Sequence, residues 1–275
     1  MDITIPPWKH TNFMSPVGYI LDARIVEYDI EKANISVLLD AGVISHAQYQ
    51  ELYELPKHDR EVAVGKMQLR DKKVSDVLKN GIMAARKALC ERLDLDYGNI
   101  LSIKNDAIFV VSSGFDIGLQ TIEITPNVRF KKKSTFRSFY KLNRKEFYYD
   151  FNPITREHIS EVKGLGDYAY GLQKDYLISA LNDIFFVAMS ENPRSALMKL
   201  KMFYNSYMAK ELPIEFYRRM DSNCRYEFLA NDQYATFQAD YLLVPDIRVI
   251  DPRYNASLLS TLAGYFIEAS LRGNK

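Results

Sequence analysis

The sequence is poor in the residues that build cross-linked or metal-stabilised folds. Its 275 residues include two cysteines, four histidines and a single tryptophan. Cys90 and Cys224 are too few for a disulfide framework, or for a thiolate zinc site without other ligands. The histidines are scattered and show no His-x-x-x-His spacing, so a histidine metal site is not expected. A reducing, intracellular compartment is the expected setting.

Long apolar runs and a strong charge of one sign are also absent. The N-terminal residues contain an acid, prolines and a lysine where a signal peptide needs an apolar core. The longest apolar stretches, such as residues 184–189, are far too short to span a bilayer. With 36 basic and 35 acidic residues, the formal net charge is +1. No membrane partner is therefore expected, and any nucleic-acid contact must come from local charge.

The chain has instead a mixed pattern of strands and helices. Residues 19–29 alternate and are rich in β-branched residues, which predicts one strand or two short ones. Residues 74–95 have the spacing of a long amphipathic helix, and residues 99–111 predict a strand, a tight turn and a strand. From about residue 172 the pattern is helical. This order predicts an α+β fold.

Two acidic residues stand where an apolar strand meets a turn. Asp29 ends one strand just before a helical pattern, and Asp106 lies at the tip of the predicted hairpin. If the two strands are neighbours in one sheet, their carboxylates converge, which is what a pair of Mg²⁺ ions requires. The alternative is that Asp29 caps a helix and Asp106 shapes a turn. The sequence leaves both interpretations open.

The segment around Asp29 resembles motif A of family B DNA polymerases. In that family a strand ending in Asp is followed by a helix carrying Ser-Leu-Tyr-Pro-Ser, and here residues 28–36 read YDIEKANIS. The Asp and the final Ser match. Lys32, Asn34 and Ile35 replace the first Ser, the Tyr and the Pro. Because the Tyr is the sugar-gating residue of the family, Asn34 leaves sugar discrimination open.

Residues 104–110 (KNDAIFV) resemble motif C, which is Asp-Thr-Asp-Ser followed by an apolar strand. Asp106 aligns with the second Asp, and Lys104 stands at the first. Residues 80–89 look like the palm helix that precedes this hairpin. The resemblance implies that Asp29 and Asp106 are catalytic metal ligands for Mg²⁺ or Mn²⁺. Lys104 either contacts a phosphate or marks a site that no longer binds metal.

The fingers of that family are poorly matched. The family carries Lys-x-x-x-Asn-Ser-x-Tyr-Gly, whose Lys holds the incoming triphosphate, whereas residues 60–66 offer a glycine with flanking basic residues. Arg60 and Lys66 are candidate phosphate contacts, with a solvated basic face as the alternative. Asp29 and Asp106 are 77 positions apart, which leaves room only for very short fingers.

Basic and aromatic residues are interleaved between residues 120 and 150. Eight basic residues stand against three acidic ones there, a net charge of +5. Cations follow phosphates, and aromatic rings pack or stack. The predicted nucleic-acid contacts are Arg129, Lys131, Lys132, Lys133 and Arg137. The alternative is an exposed ribbon whose aromatic residues face the core.

Two other sequence patterns indicate a function less strongly. The triplet at residues 29–31 matches the Asp-x-Glu of the common 3′–5′ exonuclease fold, but that fold needs a strand hairpin after the motif and a helix is predicted here. Residues 162–168 contain two glycines and predict a hinge or, alternatively, a phosphate-contacting loop.

Together these features predict an α+β protein with a polymerase-like palm sheet. The expected regions are a palm with short fingers (1–115), a basic aromatic β-ribbon (116–165) and a helical, thumb-like lobe (166–275). The expected activity is two-metal nucleotidyl transfer on a primed nucleic acid, without a proofreading exonuclease. The expected partner is DNA, as template-primer or single strand.

Two other functions stay open. In the first, the chain is a palm-like protein that has lost catalysis and acts as a nucleic-acid-binding or assembly subunit. In the second, it is one subunit of a split polymerase and works with another replication subunit. Lys104, Asn34 and Ile35 favour the first of these. A short polymerase without an exonuclease would suit a virus or a mobile element.

Overall fold

The computed structural model describes residues 6–112, 119–143, 145–164, 174–220, 226–230, 233–237 and 246–272. Cys224, Arg144 and residues 165–168 of the glycine-containing turn lie outside these ranges. The chain divides into two compact units. The first unit comprises Met1–Pro16 and Arg24–Thr135, and the second comprises Val17–Ala23 and Phe136–Lys275.

Helices and strands occur in separate runs along the chain, which is typical of an α+β fold. The α-helices are α1 (Ala33–Asp40), α2 (His46–Glu54), α3 (Lys57–Arg70), α4 (Lys72–Arg92), α5 (Lys174–Ser190), α6 (Pro193–Met208) and α7 (Ala256–Arg272). The strands are β1 (Asn12–Met14), β2 (Tyr19–Ile20), β3 (Arg24–Ile30), β4 (Ile100–Lys104), β5 (Ala107–Ser112), β6 (Thr121–Glu123), β7 (Arg129–Phe136), β8 (Ser138–Leu142), β9 (Lys145–Asn152), β10 (Glu157–Lys163), β11 (Arg218–Met220), β12 (Tyr226–Ala230) and β13 (Gln233–Phe237). The predicted α+β class is confirmed.

The first unit is built on a six-stranded sheet in the order β1-β4-β5-β3-β7-β6. Alternate residues of β3, namely Val26, Tyr28 and Ile30, are buried in a core that also contains side chains of α1 to α4. Because side chains alternate along a strand, the residues between them face the other side of the sheet. Helices therefore cover one face, and the other face carries Glu27 and Asp29.

The second unit is built on a four-stranded sheet in the order β10-β9-β8-β2. Its core joins aromatic residues of β8 and β9 to α5, α6 and α7. The tightest aromatic contact stacks Tyr140 on Phe185, with ring centroids 4.1 Å apart and planes 8° from parallel. Large buried rings remove much apolar surface from water and therefore stabilise this core strongly.

The structure divides two of the predicted regions differently. Strands β6 and most of β7, from the predicted ribbon, complete the sheet of the first unit, whereas β8 to β10 form the sheet of the second. The predicted helical lobe contains a third sheet, β11-β12-β13. Residues 214–220 were expected to be helical. Instead a 3₁₀ turn at Ile214–Tyr217 leads into β11, which pairs with β12.

Within the described ranges, no helix has the length and apolar character needed to cross a membrane.

Candidate functional site

The two predicted metal ligands lie at the same end of two neighbouring strands. Strands β3 and β5 are antiparallel, and Asp29 pairs with Ala107, the residue after Asp106. Both aspartates are half-buried. Because paired residues share a face, Asp29 points to the same side as Ala107, away from the helical core. The sheet thus brings together the two segments that resemble motifs A and C.

A buried arginine supports the turn that carries Asp106. Asn105, the first turn residue, has a left-handed backbone (φ 55°). Arg86 of α4 is 3% exposed, and its Nη1 donates a hydrogen bond of 2.8 Å to the carbonyl of Asn105. Burial lowers the pKa of Arg86, whereas Cys90 and Asp106 act in the opposite direction. A guanidinium therefore lies within electrostatic reach of Asp106.

Arg86 was missed as a site residue, although the sequence contains a signal for it. Leu78, Ile82, Arg86 and Cys90 are spaced four residues apart on α4, so Arg86 is the charged residue in an otherwise apolar stripe. A charge at such a position needs a partner in the folded protein. The partner is the hairpin turn, which no local pattern on the helix reveals.

A lysine lies in the same cross-strand row as Asp29. Lys104 of β4 pairs with Ala107 of β5, and Ala107 pairs with Asp29 of β3. These three residues therefore share one face, with Lys104 and Asp29 two strand spacings apart, or about 10 Å between backbones. The structure places this cation close to the candidate site, where the family resemblance would put an additional acid.

The basic side chains of β7 lie beside two acidic side chains, one on the neighbouring strand β3 and one on the residue that follows it. Glu31 accepts hydrogen bonds from Arg129 Nε and Lys131 Nζ, and Lys133 Nζ lies 3.2 Å from Glu27 Oε1. The three cationic side chains are 48–51% exposed, whereas Glu31 is 14% and Glu27 is 1% exposed. We call these five residues the ion-paired strip. Three of the predicted nucleic-acid contacts are thus already paired with carboxylates, of which that of Glu27 is buried and that of Glu31 is partly buried.

The pKa of Glu31 reflects these contacts. Burial raises it, but the hydrogen bonds from Lys131 and Arg129 outweigh burial, and the pKa of Glu31 is lowered. The hydrogen bond to Glu31 raises the pKa of Arg129 in turn. Glu31 therefore stays ionised at neutral pH, and the strip carries both signs of charge.

The other predicted nucleic-acid contacts lie apart from the strip. Lys132 is a neighbour of Lys131 on β7, so its side chain leaves the opposite face of the strand. Arg137 belongs to the second unit, where its Nη2 donates to Asp22 at 2.8 Å. The aromatic residues of the segment are 2% exposed or less, which excludes them as stacking platforms for bases in this conformation: Phe130, Phe136, Phe139, Tyr140, Phe147, Tyr148 and Tyr149.

The two candidate triphosphate contacts lie on different sides of α3. Arg60 and Lys66 are six residues apart, so on a helix they point about 120° away from each other. Arg60 Nη1 donates to the carbonyl of Leu55, at the end of α2, and Lys66 is exposed. The structure does not bring this pair together on one face.

Lys32 connects the start of α1 to the end of α2. It precedes α1 with a left-handed backbone (φ 46°) and makes no side-chain cap. Its Nζ donates to the carbonyl of Tyr53 and lies 3.0 Å from the centroid of the Tyr53 ring. Burial, and next the nearby Arg60, lower the pKa of Lys32. Lys32, which stands where motif A of family B polymerases has its first Ser, thus has a structural role in this protein.

The donor set at the strand ends suits a hard cation. Asp29 and Asp106 supply carboxylate oxygens, the ligands that Mg²⁺ and Mn²⁺ prefer, and Mg²⁺ commonly takes its remaining positions from water and substrate phosphate. Among the described residues, no group of three or more His, Cys, Asp or Glu side chains could hold a metal ion. Any ion here would therefore rely on these two carboxylates and on its substrate.

A separate hollow of about 770 Å³ lies in the first unit, bordered by α1, α4 and the β6–β7 hairpin. Its floor is formed largely by small and apolar side chains of α4, including Val77, Ala84 and Ala88. Asp40 at its rim accepts a hydrogen bond from Thr125. None of the predicted site residues lines this hollow.

These features define an α+β protein whose first unit is an antiparallel sheet with helices on one face and with the acidic residues Glu27 and Asp29 on the other. The chain belongs to the family of the bacteriophage PBS1 gene 130 protein, whose family model matches residues 7–242. This membership fits the expectation of a virus-encoded protein. No curated protein matches the chain.

Proposed function

We propose that the first unit is a palm-type module for nucleotidyl transfer on a primed nucleic acid. The observation that supports this function is the register that sets Asp29 opposite Ala107, beside Asp106, at the shared end of β3 and β5. Asp29 and Asp106 would hold Mg²⁺ or Mn²⁺, which supplies activation of a 3′-hydroxyl and stabilisation of the leaving pyrophosphate. The module would act inside an infected host cell.

The remaining residues position charge around this site. Arg86 fixes the turn that presents Asp106, through its hydrogen bond to Asn105. Lys104 is a cation beside Asp29 and can contact a substrate phosphate. The cations of the ion-paired strip lie on β7, on the side of β3 away from β5. Because they are half exposed, they can follow a phosphate backbone.

Primer extension tests this function. The purified chain is expected to extend a primed DNA template with Mg²⁺ or Mn²⁺, and Asp106→Asn should reduce the rate by at least about a hundredfold, or about 2.7 kcal/mol of transition-state stabilisation. Asp76→Asn, an exposed change on α4, is the control and should leave the rate unchanged. Incorporation that is equal for the wild type and Asp106→Asn would rule out the assigned site.

A second function, nucleic-acid binding without catalysis, is supported by the cations near the aspartates. Arg86 lies within electrostatic reach of Asp106, and Lys104 shares a row with Asp29. Both offset the negative charge that a pair of divalent ions needs. This protein would bind template-primer or single-stranded DNA and serve another polymerase or replication subunit.

Binding measurements separate the two functions. A non-catalytic protein would bind the primed DNA with an affinity that Asp106→Asn and metal chelation leave unchanged, and it would incorporate no nucleotide with either metal. A catalytic module would show metal-dependent extension that Asp106→Asn removes, while its DNA affinity changes little.

A further inference from the structure

The charge balance of the ion-paired strip has a consequence for how strongly it binds phosphates. Arg129, Lys131 and Lys133 alternate along β7, so their side chains leave one face of the strand about 6.6 Å apart. This row suits the repeated charges of a nucleic-acid backbone. However, Glu31 contacts two of the three cations, and Glu27 contacts the third.

We propose that Glu31 limits the affinity of the ion-paired strip for a polyanion, so that removing its charge strengthens binding. The inference rests on the proposed nucleic-acid partner and concerns how that partner is held. Arg129 and Lys131 are about half exposed, so a phosphate can approach both from solvent. Their attraction for it is reduced because a fixed carboxylate already contacts both.

Glu31 is the acid of the strip that can be altered with the least damage to the fold. Its backbone N–H donates to the carbonyl of Arg129 at 3.0 Å, and its own carbonyl accepts from Ser36 Oγ at 2.8 Å. These bonds hold the backbone at position 31 whether or not the side chain is charged. Glu27 is fully buried, so a change there would disturb folding together with binding.

The first experiment compares Glu31→Gln with the wild type in binding a fluorescein-labelled oligothymidylate by fluorescence anisotropy. At about 0.1 M salt the Kd is expected to fall about three- to tenfold. The slope of log affinity against log salt should steepen by up to about 1.4, because each released contact to a single strand adds about 0.7. Circular dichroism confirms that the variant is folded.

Two control variants test whether the position of the removed negative charge matters, or only the change in net charge. Glu268→Gln releases Arg272 on α7 and raises the net charge equally, yet it should change the Kd less than twofold. Glu31→Asp keeps the charge at the strip and is expected to bind like the wild type. An equal gain in affinity for Glu268→Gln would overturn the proposal, because net charge alone would then explain it.

Retention on a heparin column separates this inference from the nucleic-acid function. Glu31→Gln should elute at higher salt than the wild type and than Glu268→Gln. If it does, and no variant binds an oligonucleotide, the strip is a polyanion site and the nucleic-acid function fails. If Glu31→Gln elutes at or below the salt concentration of the wild type, Glu31 does not limit the strip and the proposal is wrong.

Discussion

The two main sheets of this protein use adjacent strands of one sequence segment in opposite ways. In the first unit, β7 exposes Arg129, Lys131 and Lys133 and pairs them with Glu27 of β3 and with Glu31, the residue that follows β3. In the second unit, β8 and β9 direct large aromatic rings into the core beneath α5 and α7. The linear sequence mixes both residue types, whereas the fold separates them.

This difference shows that a basic aromatic segment is not by itself a nucleic-acid surface. Aromatic rings buried to 2% exposure or less stabilise the protein and offer no face to a base. A cation that is paired with a carboxylate stays partly exposed, but the ion pair as a whole carries less positive charge than the cation alone. The first sheet therefore presents half-exposed charged side chains, whereas the second buries its aromatic rings.

The largest expected effect is on the free energy of unfolding, from a change in the core that packs α5 against the second sheet. Phe185→Ala removes a ring that is 1% exposed and stacked on Tyr140, so the free energy of unfolding should fall by about 3–5 kcal/mol. Lys131→Ala, on the strip, should cost less than about 1 kcal/mol, because exposed ion pairs stabilise little. Urea denaturation measures both. Equal losses for the two variants would remove the distinction between the sheets.

The next largest effect is the change in stability when a helical glycine in each unit is replaced by alanine. A Cβ at Gly81 of α4 would lie 2.3 Å from Val37 Cγ1, whereas a Cβ at Gly264 of α7 would meet nothing within 4 Å. Val37 is buried and β-branched, so it cannot easily move. Gly81→Ala is therefore expected to destabilise by about 1–3 kcal/mol.

The same change at Gly264 is expected to have the opposite sign. Gly264→Ala should stabilise by about 0.5–1 kcal/mol, because alanine favours helix formation over glycine. Thermal denaturation of both variants provides the comparison. Stabilisation by Gly81→Ala would show that α1 and α4 do not pack as closely as described.

The smallest effect is the pH dependence of the stability that Glu31 of the ion-paired strip contributes. The pKa of Glu31 is lowered in the folded protein from its ordinary value of 4.5, so its stabilising contribution is complete above that value and is lost as the pH falls through the folded pKa. The wild type should exceed Glu31→Gln in unfolding free energy by up to about 1 kcal/mol at pH 7.

The difference between these two proteins should shrink as the pH falls below about 4.5, where protonation removes the charge of Glu31. Urea denaturation of both at pH 7, 5 and 3.5 tests this. A gap that is constant over that range would show that the carboxylate charge of Glu31 does not stabilise the fold.

Local patterns in the sequence were sufficient to predict the part of the fold that carries the candidate site. The alternation before Asp29 and the turn residues around Asp106 predicted β3 and the β4–β5 hairpin, and the structure places these strands side by side. The α+β class followed from the order of elements. Whether Asp29 and Asp106 act as metal ligands stays a prediction.

Contacts between distant parts of the chain could not be predicted in this way. Glu31 and Arg129 are 98 residues apart in sequence. No local sequence pattern therefore shows that the basic side chains of β7 pair with acidic side chains. Arg86 faces a turn 19 residues later. The strand β11 forms because β12 pairs with it, although residues 214–220 alone favour a helix.

The contact between Lys32 and Tyr53 implies an unequal tolerance to mutation at its two ends. The acceptor at position 53 is a main-chain carbonyl, which every amino acid supplies, so a substitution of Tyr53 removes the ring contact but leaves the acceptor in place. At position 32 a long cationic side chain must also adopt a left-handed backbone, for which asparagine and glycine are the usual choices. Neither of them reaches that carbonyl, so natural variation should be narrower at position 32 than at position 53.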